Sequence, residues 1–248
     1  MDKPINILLA EDNPVNQRVA TLMLERNGHS VTVVEDGESA VSAWRTGQFD
    51  VILMDVMMPK LDGIEATRHI RREEIGSGRR TPIIALTANA MQNDQDSCLA
   101  AGMDGYLVKP IKLDQLYQEI ERAWQPQARQ TANPSAERGE VLVFDHADAL
   151  ERMGGSLDIL HSLFDLFLQE QANYAASIEQ AMASGNQADL IRAAHTLKGA
   201  LGTLSANRAQ GVAAALELAA KAGEAARYRP LADELKQELA AFTAAIAK

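Results

Sequence analysis

The sequence contains a single cysteine, Cys98, so the chain cannot form an internal disulfide. Because chains without structural disulfides are typical of reducing compartments, we expect a cytoplasmic location, with any inner-membrane anchor belonging to a longer parent protein. No apolar run approaches the ~20 residues that a membrane span needs. The apolar stretch near the N-terminus is followed at once by two acids, which fits a buried strand better than a signal peptide. We therefore expect no membrane contact by this chain.

Positive charge is also scarce. The chain has 24 Lys and Arg residues against 34 Asp and Glu residues, which gives a formal net charge of -10. The sequence has no basic stripe of the kind that binds a nucleic acid duplex, so nucleic acid is not expected as a partner. It also lacks a GxxxxGK phosphate loop and a glycine-rich nucleotide motif, so we expect no ATP chemistry in this chain.

The first half of the chain alternates short β-branched runs with amphipathic stretches of helical length. This alternation predicts a five-stranded parallel sheet covered by helices on both faces. Asn13 and Pro14 are typical of a helix start, and Gly28 and Gly102 stand where helix C-termini need a left-handed residue. The predicted strands are 5–10, 31–35, 51–55, 82–87 and 105–108, and the predicted helices lie near 14–27, 38–46, 63–74, 90–101 and 112–124.

The second half has a different pattern. Residues 125–140 lose all periodicity and gather Pro, Gln, Ala and Ser, which is typical of a linker. After residue 140, leucine, alanine and aromatic residues recur at three- or four-residue spacing, and Ser156 and Asn186 are candidate N-caps. Amphipathic helices joined by short loops predict a helix bundle. We therefore predict an α/β domain at 1–124, a linker at 125–140 and an all-α domain at 141–248.

Polar residues follow the ends of four predicted strands: Glu11 and Asp12, Asp55, Thr87, and Lys109. In a parallel sheet these ends share one edge. Three carboxylates within ~4–5 Å repel one another by roughly 4 kcal/mol per pair, and Mg²⁺ would relieve that repulsion. Asp55 could then attack a phosphoryl group, assisted by the Lys109 charge and the Thr87 hydroxyl. Each residue alone is more often structural, so the interpretation depends on the shared edge.

Four segments of the first half resemble the receiver domains of bacterial two-component systems, especially those attached to hybrid sensor histidine kinases. They are ILLAEDNPVNQRVA, VILMDVMMPKLDGIEATRHIR, PIIALTANA and AAGMDGYLVKP. The resemblance spans about residues 5–122 and implies a flavodoxin-like (βα)5 fold with its phosphoacceptor at Asp55. It implies that Glu11, Asp12, Asp55 and the main-chain carbonyl of Met57 hold Mg²⁺. Thr87 and Lys109 would contact the phosphoryl group.

The same resemblance implies three further features. Tyr106 would change rotamer on phosphorylation, although it could equally be only a half-buried strand aromatic. The bond between Lys109 and Pro110 would be cis. Met57 and Asn89 would occupy positions that tune the lifetime of the aspartyl phosphate.

Among the five histidines, His195 is distinguished by its surroundings, AAHTLKGALGTLSA. On a helix through 190–204, the leucine and alanine stripe clusters within about 40° of one direction, and His195 lies about 140° from its centre. We therefore predict an imidazole that points into solvent, with Lys198 and Gly202 on the same side and Gly199 beside it. The two glycines would fit either the close approach of another protein or the crossing of neighbouring helices. An exposed imidazole could accept a phosphoryl group, with Lys198 steering it.

The segment HTLKGALGTLSA resembles the histidine-containing phosphotransfer (HPt) domain, which is an up-down four-helix bundle with an exposed phosphohistidine. His195, Lys198 and Gly199 match its core motif. Ser205 stands where the family usually has glycine, so we expect docking to persist, with a possible change in partner choice. The other histidines are predicted to be surface or turn residues: His29, His69, His146 and His161.

The leading interpretation is a phosphorelay module. Phosphate would pass from an upstream histidine kinase to Asp55, then to His195, then to a downstream response-regulator receiver, in a chain expected to be monomeric. Two alternatives stay open. A phosphatase acting through an aspartyl phosphate would use the same nucleophile, but such enzymes generally place a second acid where this chain has Met57. A receiver-switched scaffold would bind a partner through the bundle without carrying phosphate.

Overall fold

The computed structural model describes residues 3–88, 92–124 and 142–247. The chain divides into two compact units, Met1–Glu137 and Arg138–Lys248. The predicted linker, 125–140, lies outside the described residues, so the predicted domain boundaries stay predictions.

The first unit contains a five-stranded parallel sheet with the spatial order β2-β1-β3-β4-β5. The predicted α/β fold is therefore confirmed. The strand order reverses between β1 and β3, and the polar residues follow the ends of strands at this point, where open α/β sheets generally bind their ligands. The strands are β1 (Asn6–Ala10), β2 (Ser30–Val34), β3 (Val51–Asp55), β4 (Ile83–Thr87) and β5 (Gly105–Val108), and the helices are α1 (Pro14–Glu25), α2 (Gly37–Thr46), α3 (Gly63–Glu74), α4 (Gln92–Ala100) and α5 (Leu113–Trp124).

Local sequence explains these elements. Strands β3 and β4 are buried at every residue, as continuous apolar runs are when helices cover both faces of a parallel sheet. The Asn13 side chain accepts hydrogen bonds from the first N–H groups of α1, which confirms the predicted N-cap. Gly28 and Gly102 have φ values of 84° and 99°, so both take the left-handed conformation that was predicted.

The second unit is helical. Among its described residues, α7 contacts α8, α8 contacts α9, α9 contacts α10 and α10 contacts α7, so four long helices close a bundle. The Ser156 and Asn186 side chains cap α7 and α8 as predicted. None of the helices in the described part of the chain combines the length and apolar character that crossing a bilayer requires. The helices are α6 (His146–Arg152), α7 (Leu157–Ser184), α8 (Gln187–Thr203), α9 (Asn207–Ala222) and α10 (Tyr228–Ile246), with a 3-10 turn at Ala225–Arg227.

His29 lies in the turn between α1 and β2, but it is not a surface residue. It is only 4% exposed, and its ring centroid lies 5.8 Å from that of Tyr117. The main-chain N–H of Ile5 donates to its Nδ1 at 3.4 Å, which leaves the proton of the neutral ring on Nε2. The other three histidines without a predicted role are exposed: His69, His146 and His161.

The burial of His29 predicts a pH dependence for the first unit. Burial lowers the pKa of His29, so the unfolded chain binds its proton more readily than the folded chain does. The resulting stabilisation is complete above pH 6.5, the ordinary histidine pKa, and is lost as the pH falls below it. We expect His29→Phe to reduce the loss of stability between about pH 7.5 and about pH 5.5. Urea unfolding followed by tryptophan fluorescence measures this, because both tryptophans, Trp44 and Trp124, belong to the first unit.

A matched variant, His69→Phe, replaces an exposed histidine and should keep the full pH dependence. Equal losses for His29→Phe and the wild type would contradict the assignment to His29.

Candidate functional site

The strand ends bring the predicted polar residues of the first unit to one edge of the sheet. Glu11 and Asp12 follow β1, Asp55 ends β3, Thr87 ends β4, and Lys109 follows β5. One carboxylate oxygen from each of Glu11, Asp12 and Asp55 lies within 4.8 Å of the other two. Carboxylates that are distant in sequence therefore form one compact group of hard oxygen donors, the ligand type that Mg²⁺ prefers.

Lys109 lies inside this acidic group. Its Nζ is 2.6 Å from Asp55 Oδ2 and 2.6 Å from Glu11 Oε2. Burial alone would lower the pKa of Lys109, but the carboxylates of Asp55 and Glu11 outweigh burial and raise it, so the amine stays charged. Burial raises the pKa of Asp55; Lys109 opposes that rise, and Glu11 and Asp12 add to it. One lysine faces three acids, so the site has an excess of negative charge that a divalent cation could neutralise.

Close backbone packing fixes the loop after β3 against Asp55. The Met57 N–H donates to Asp55 Oδ1 at 3.1 Å, and the Gly63 N–H donates to the Val56 carbonyl at 3.0 Å. A Cβ at Gly63 would lie 2.0 Å from the main-chain oxygen of Asp55, so only glycine fits there. This packing holds Met57, the predicted main-chain metal ligand, beside the predicted phosphoacceptor.

The start of α2 braces the same loop from the other side. The Gly37 N–H donates to the Leu61 carbonyl at 3.0 Å, and a Cβ at Gly37 would lie 2.3 Å from that oxygen. Lys60 takes a left-handed φ of 63°, and its Nζ donates to Asp36 Oδ2 at 2.6 Å. These contacts thus hold the loop at both of its ends. The sequence prediction missed Asp36 and Lys60, which carry no motif of their own.

The remaining predicted residues of the first unit are placed as follows. Thr87 is 6% exposed, and its carbonyl accepts a hydrogen bond from the Lys109 N–H at 2.6 Å. Tyr106 is half-buried against the core, which leaves both of its predicted roles open. The Lys109–Pro110 bond is cis, as the resemblance implied. Asn89 lies outside the described residues.

In the second unit, the prediction that His195 points into solvent is wrong. The residue is 7% exposed, and its Nδ1 lies 3.1 Å from Glu217 Oε1 on α9. Helix α8 contacts both α7 and α9, so its leucine stripe marks only one of two covered faces. The alanine-rich α9 covers part of the side that was assigned to solvent, and the Glu217 carboxylate provides a polar partner for the ring there.

Glu217 is a site residue that the sequence prediction missed. Besides His195, it pairs with Lys198 Nζ at 2.5 Å through Oε2 and with Lys221 Nζ at 2.7 Å through Oε1. Burial alone would raise the pKa of Glu217, but hydrogen bonds from His195, Lys198 and Lys221 outweigh it and hold the pKa well below its usual range. Because an ionised carboxylate only accepts hydrogen bonds, Nδ1 of a neutral His195 carries the proton, and the lone pair is on Nε2. The sequence feature that could have indicated Glu217 is that it is a single acid within the alanine-rich run AAALELAA.

Residues 7–121 match the family model of the response regulator receiver domain, and residues 162–245 match that of the Hpt domain. The chain is a receiver domain followed by an HPt domain. The resemblances inferred from the motifs are therefore confirmed. Receiver and HPt domains that occur together in hybrid histidine kinases are components of phosphorelay signal transduction.

Similar proteins include sensor histidine kinases. The sensor protein GacS of Pseudomonas syringae pv. syringae is 38% identical over 203 residues, covering 78% of this chain and 22% of GacS. The histidine-protein kinase BarA of Shigella flexneri is 28% identical over 224 residues, covering 88% of this chain and 24% of BarA. The receiver domain of the sensor histidine kinase PA1611 of Pseudomonas aeruginosa PAO1, solved with a coordinated magnesium ion, is 50% identical over 49% of this chain and 98% of that domain, with a TM-score of 0.45. The chain thus spans less than a quarter of the length of GacS and BarA.

The small residues of the HPt motif are buried. Gly199 and Gly202 are both buried in α8, and a Cβ at Gly202 would lie 2.5 Å from Nε2 of Gln210 on α9. Gly202 therefore faces α9, but the atom it would meet is the end of a flexible side chain, so this contact alone does not require glycine. Ser205 is 1% exposed, has a φ of 54°, and donates from Oγ to Asp148 Oδ2 at 2.6 Å. Its left-handed conformation explains the glycine common there. Burial removes Ser205 from any docking surface, which corrects the expected influence on partner choice.

Proposed function

We propose that this chain accepts a phosphoryl group on Asp55 from an upstream phosphohistidine and passes it through His195 to or from a receiver aspartate. The observation that carries the proposal is the Lys109 ammonium, held 2.6 Å from Asp55 inside a group of three carboxylates. This arrangement provides a nucleophile, a fixed positive charge and donors for a divalent cation at one point.

In the first step, an Asp55 oxygen attacks phosphorus while the phosphorus–nitrogen bond of the donor breaks and the donor imidazole takes up a proton. Lys109 balances negative charge on the transferred group, and the Thr87 hydroxyl lies at the adjacent strand end to donate a hydrogen bond. Glu11, Asp12, Asp55 and the Met57 carbonyl would hold Mg²⁺, which when bound neutralises phosphoryl and carboxylate charge. Tyr106 would be the aromatic whose rotamer follows phosphorylation.

In the second step, Nε2 of His195 attacks the phosphorus of an aspartyl phosphate, and the bond to the carboxylate oxygen breaks. Glu217 holds the proton on Nδ1, so Nε2 is the ring nitrogen that carries the lone pair and acts as the nucleophile. Lys198 brings a positive charge to the same helix face, three residues after His195. Two lysines against one carboxylate also favour the approach of an acidic receiver site.

The partners follow from what each step needs. The chain requires a phosphohistidine donor, which we infer to be a histidine kinase, either a separate protein or the kinase portion of a longer parent. The acceptor after His195 would be the receiver of a downstream response regulator. We propose a cytoplasmic, monomeric module that contacts neither nucleic acid nor a membrane.

Replacing His195 with glutamine tests the relay directly. We expect His195→Gln to accept phosphate on Asp55 as the wild type does but to lose at least about 100-fold in the rate of transfer to a downstream receiver. The measurement loads each protein with labelled phosphate and follows the label over time. His161→Gln, which replaces an exposed histidine of α7, should transfer at the wild-type rate. If His195→Gln still relayed phosphate normally, the bundle would be a scaffold.

Single-turnover kinetics at several dilutions test whether Asp55 and His195 of one molecule react with each other. A rate that does not change with protein concentration is expected for transfer within one chain. A rate proportional to concentration would show that the two residues react only between molecules.

A further inference from the structure

Glu217 has one more positive neighbour than its single charge requires. Lys198 pairs with Oε2, while Lys221 and His195 share Oε1 at 2.7 Å and 3.1 Å. Because they meet at the same oxygen, Lys221 Nζ lies within about 6 Å of His195 Nδ1, where a unit charge affects protonation strongly. Lys221 matches no motif of the sequence, and its side chain is 42% exposed.

A carboxylate beside an imidazole has two opposing effects on its use as a nucleophile. It keeps the proton on Nδ1, which leaves Nε2 reactive, but its negative charge also favours the imidazolium form, which has no lone pair to donate. Positive charge next to the carboxylate offsets its stabilisation of the imidazolium form, while the hydrogen bond still holds the proton on Nδ1. Lys198 alone could do this while it stays on Oε2.

Lys198 cannot balance the charge of Glu217 throughout the reaction if it also contacts the phosphoryl group. It lies on α8, one turn from His195, so turning toward a phosphoryl group on Nε2 would take it away from Glu217. Lys221 is on α9, four residues after Glu217, a spacing that keeps an ion pair on one helix face. We propose that Lys221 is a positioning residue of the phosphotransfer site. Its ammonium balances the negative charge of Glu217, so that the carboxylate orients the His195 imidazole without favouring its protonation. This inference rests on the proposed role of His195 as phosphoryl carrier.

Several other charged groups of the bundle have ion-pair partners of their own. In the described part of the bundle these pairs are Arg192 with Asp189 on α8, Arg208 of α9 with Glu238 of α10, and Glu179 of α7 with Arg229 and Lys236 of α10. The charges that meet at the imidazole partner are thus those of Lys198 and Lys221.

An NMR titration of the His195 imidazole in the full-length chain tests the proposal, with its signal assigned by its loss in His195→Gln. In Lys221→Gln we expect the pKa of His195 to rise by about half a unit to one unit, and in Glu217→Gln to fall by a similar amount. Arg208→Gln, which removes another charge of α9, should leave it unchanged, and Lys221→Arg should restore the wild-type value. The rate of phosphoryl acceptance by His195 should shift to higher pH in Lys221→Gln.

A change of less than about 0.2 unit in Lys221→Gln, or a fall in the pKa, would overturn the proposal. The titration does not depend on phosphotransfer. If His195→Gln still passed phosphate to a downstream receiver, that result would refute the role of His195 as carrier and would leave the titration unaffected. If His195→Gln lost transfer but the pKa of His195 did not rise in Lys221→Gln, only the role of Lys221 would be refuted.

Discussion

Replacing Lys109 with methionine is expected to destabilise the receiver domain by roughly 3–5 kcal/mol in the absence of divalent cations. The substitution leaves Asp55 and Glu11, each 1% exposed, buried without the ammonium that lies 2.6 Å from both. A buried charge without a partner is far more costly than a missing surface ion pair. Urea unfolding followed by tryptophan fluorescence gives the change, since both tryptophans belong to the first unit.

Added Mg²⁺ distinguishes this cause from a general packing defect. A cation bound by the three carboxylates would replace the missing charge, so Mg²⁺ should raise the urea midpoint of Lys109→Met more than that of the wild type. Lys112→Met, three residues later and exposed, should change stability by less than about 0.5 kcal/mol. A loss below about 1 kcal/mol for Lys109→Met would show that the acids do not depend on Lys109.

Replacing Gly63 with alanine is expected to destabilise the receiver by about 3 kcal/mol, at the upper end of the usual cost of overpacking. The new Cβ would lie 2.0 Å from the main-chain oxygen of Asp55, and main-chain atoms cannot rotate away as a side chain can. The loop that carries Met57 must therefore move relative to Asp55. We expect slower phosphorylation of Asp55 as well as a lower urea midpoint, since both depend on the same backbone contact.

The matched control is Gly211→Ala in α9, where an added Cβ meets no atom within 4 Å. It should leave the receiver transition unchanged and stabilise the HPt domain by about 0.5–1 kcal/mol, because alanine is the better helix former. A Gly63→Ala variant that kept the wild-type midpoint and phosphorylation rate would show that the loop adapts freely.

The receiver site could be predicted from sequence because parallel strands place their C-terminal ends on one edge. Once the strands were identified by their apolar runs, Asp55 and Lys109 were expected to lie near each other, although they are 54 positions apart in the sequence. The contacts that brace the loop could not be predicted in the same way. The pairing of Lys60 with Asp36 depends on a left-handed backbone at a residue that rarely adopts one.

The HPt domain was predictable as a bundle but not in the surroundings of its histidine. Helical periodicity identifies the stripe that faces one neighbour, whereas His195 lies under a second neighbour, α9. Glu217 comes 22 residues later, and no local pattern joins it to His195. Such pairs depend on how helices are arranged around one another, which the spacing of apolar residues within a single helix does not specify.

Phosphorylation by acetyl phosphate, measured by intact mass, tests most directly whether the converging acids and lysine make Asp55 reactive toward phosphorus. The wild-type chain should gain the mass of one phosphoryl group when Mg²⁺ is present and should gain little when it is chelated. Asp96→Asn, which removes an exposed acid of α4, should behave like the wild type. Asp55→Asn should gain nothing under either condition. Equal phosphorylation of Asp55→Asn and the wild type would contradict this account. So would phosphorylation of the wild type to the same extent with and without Mg²⁺.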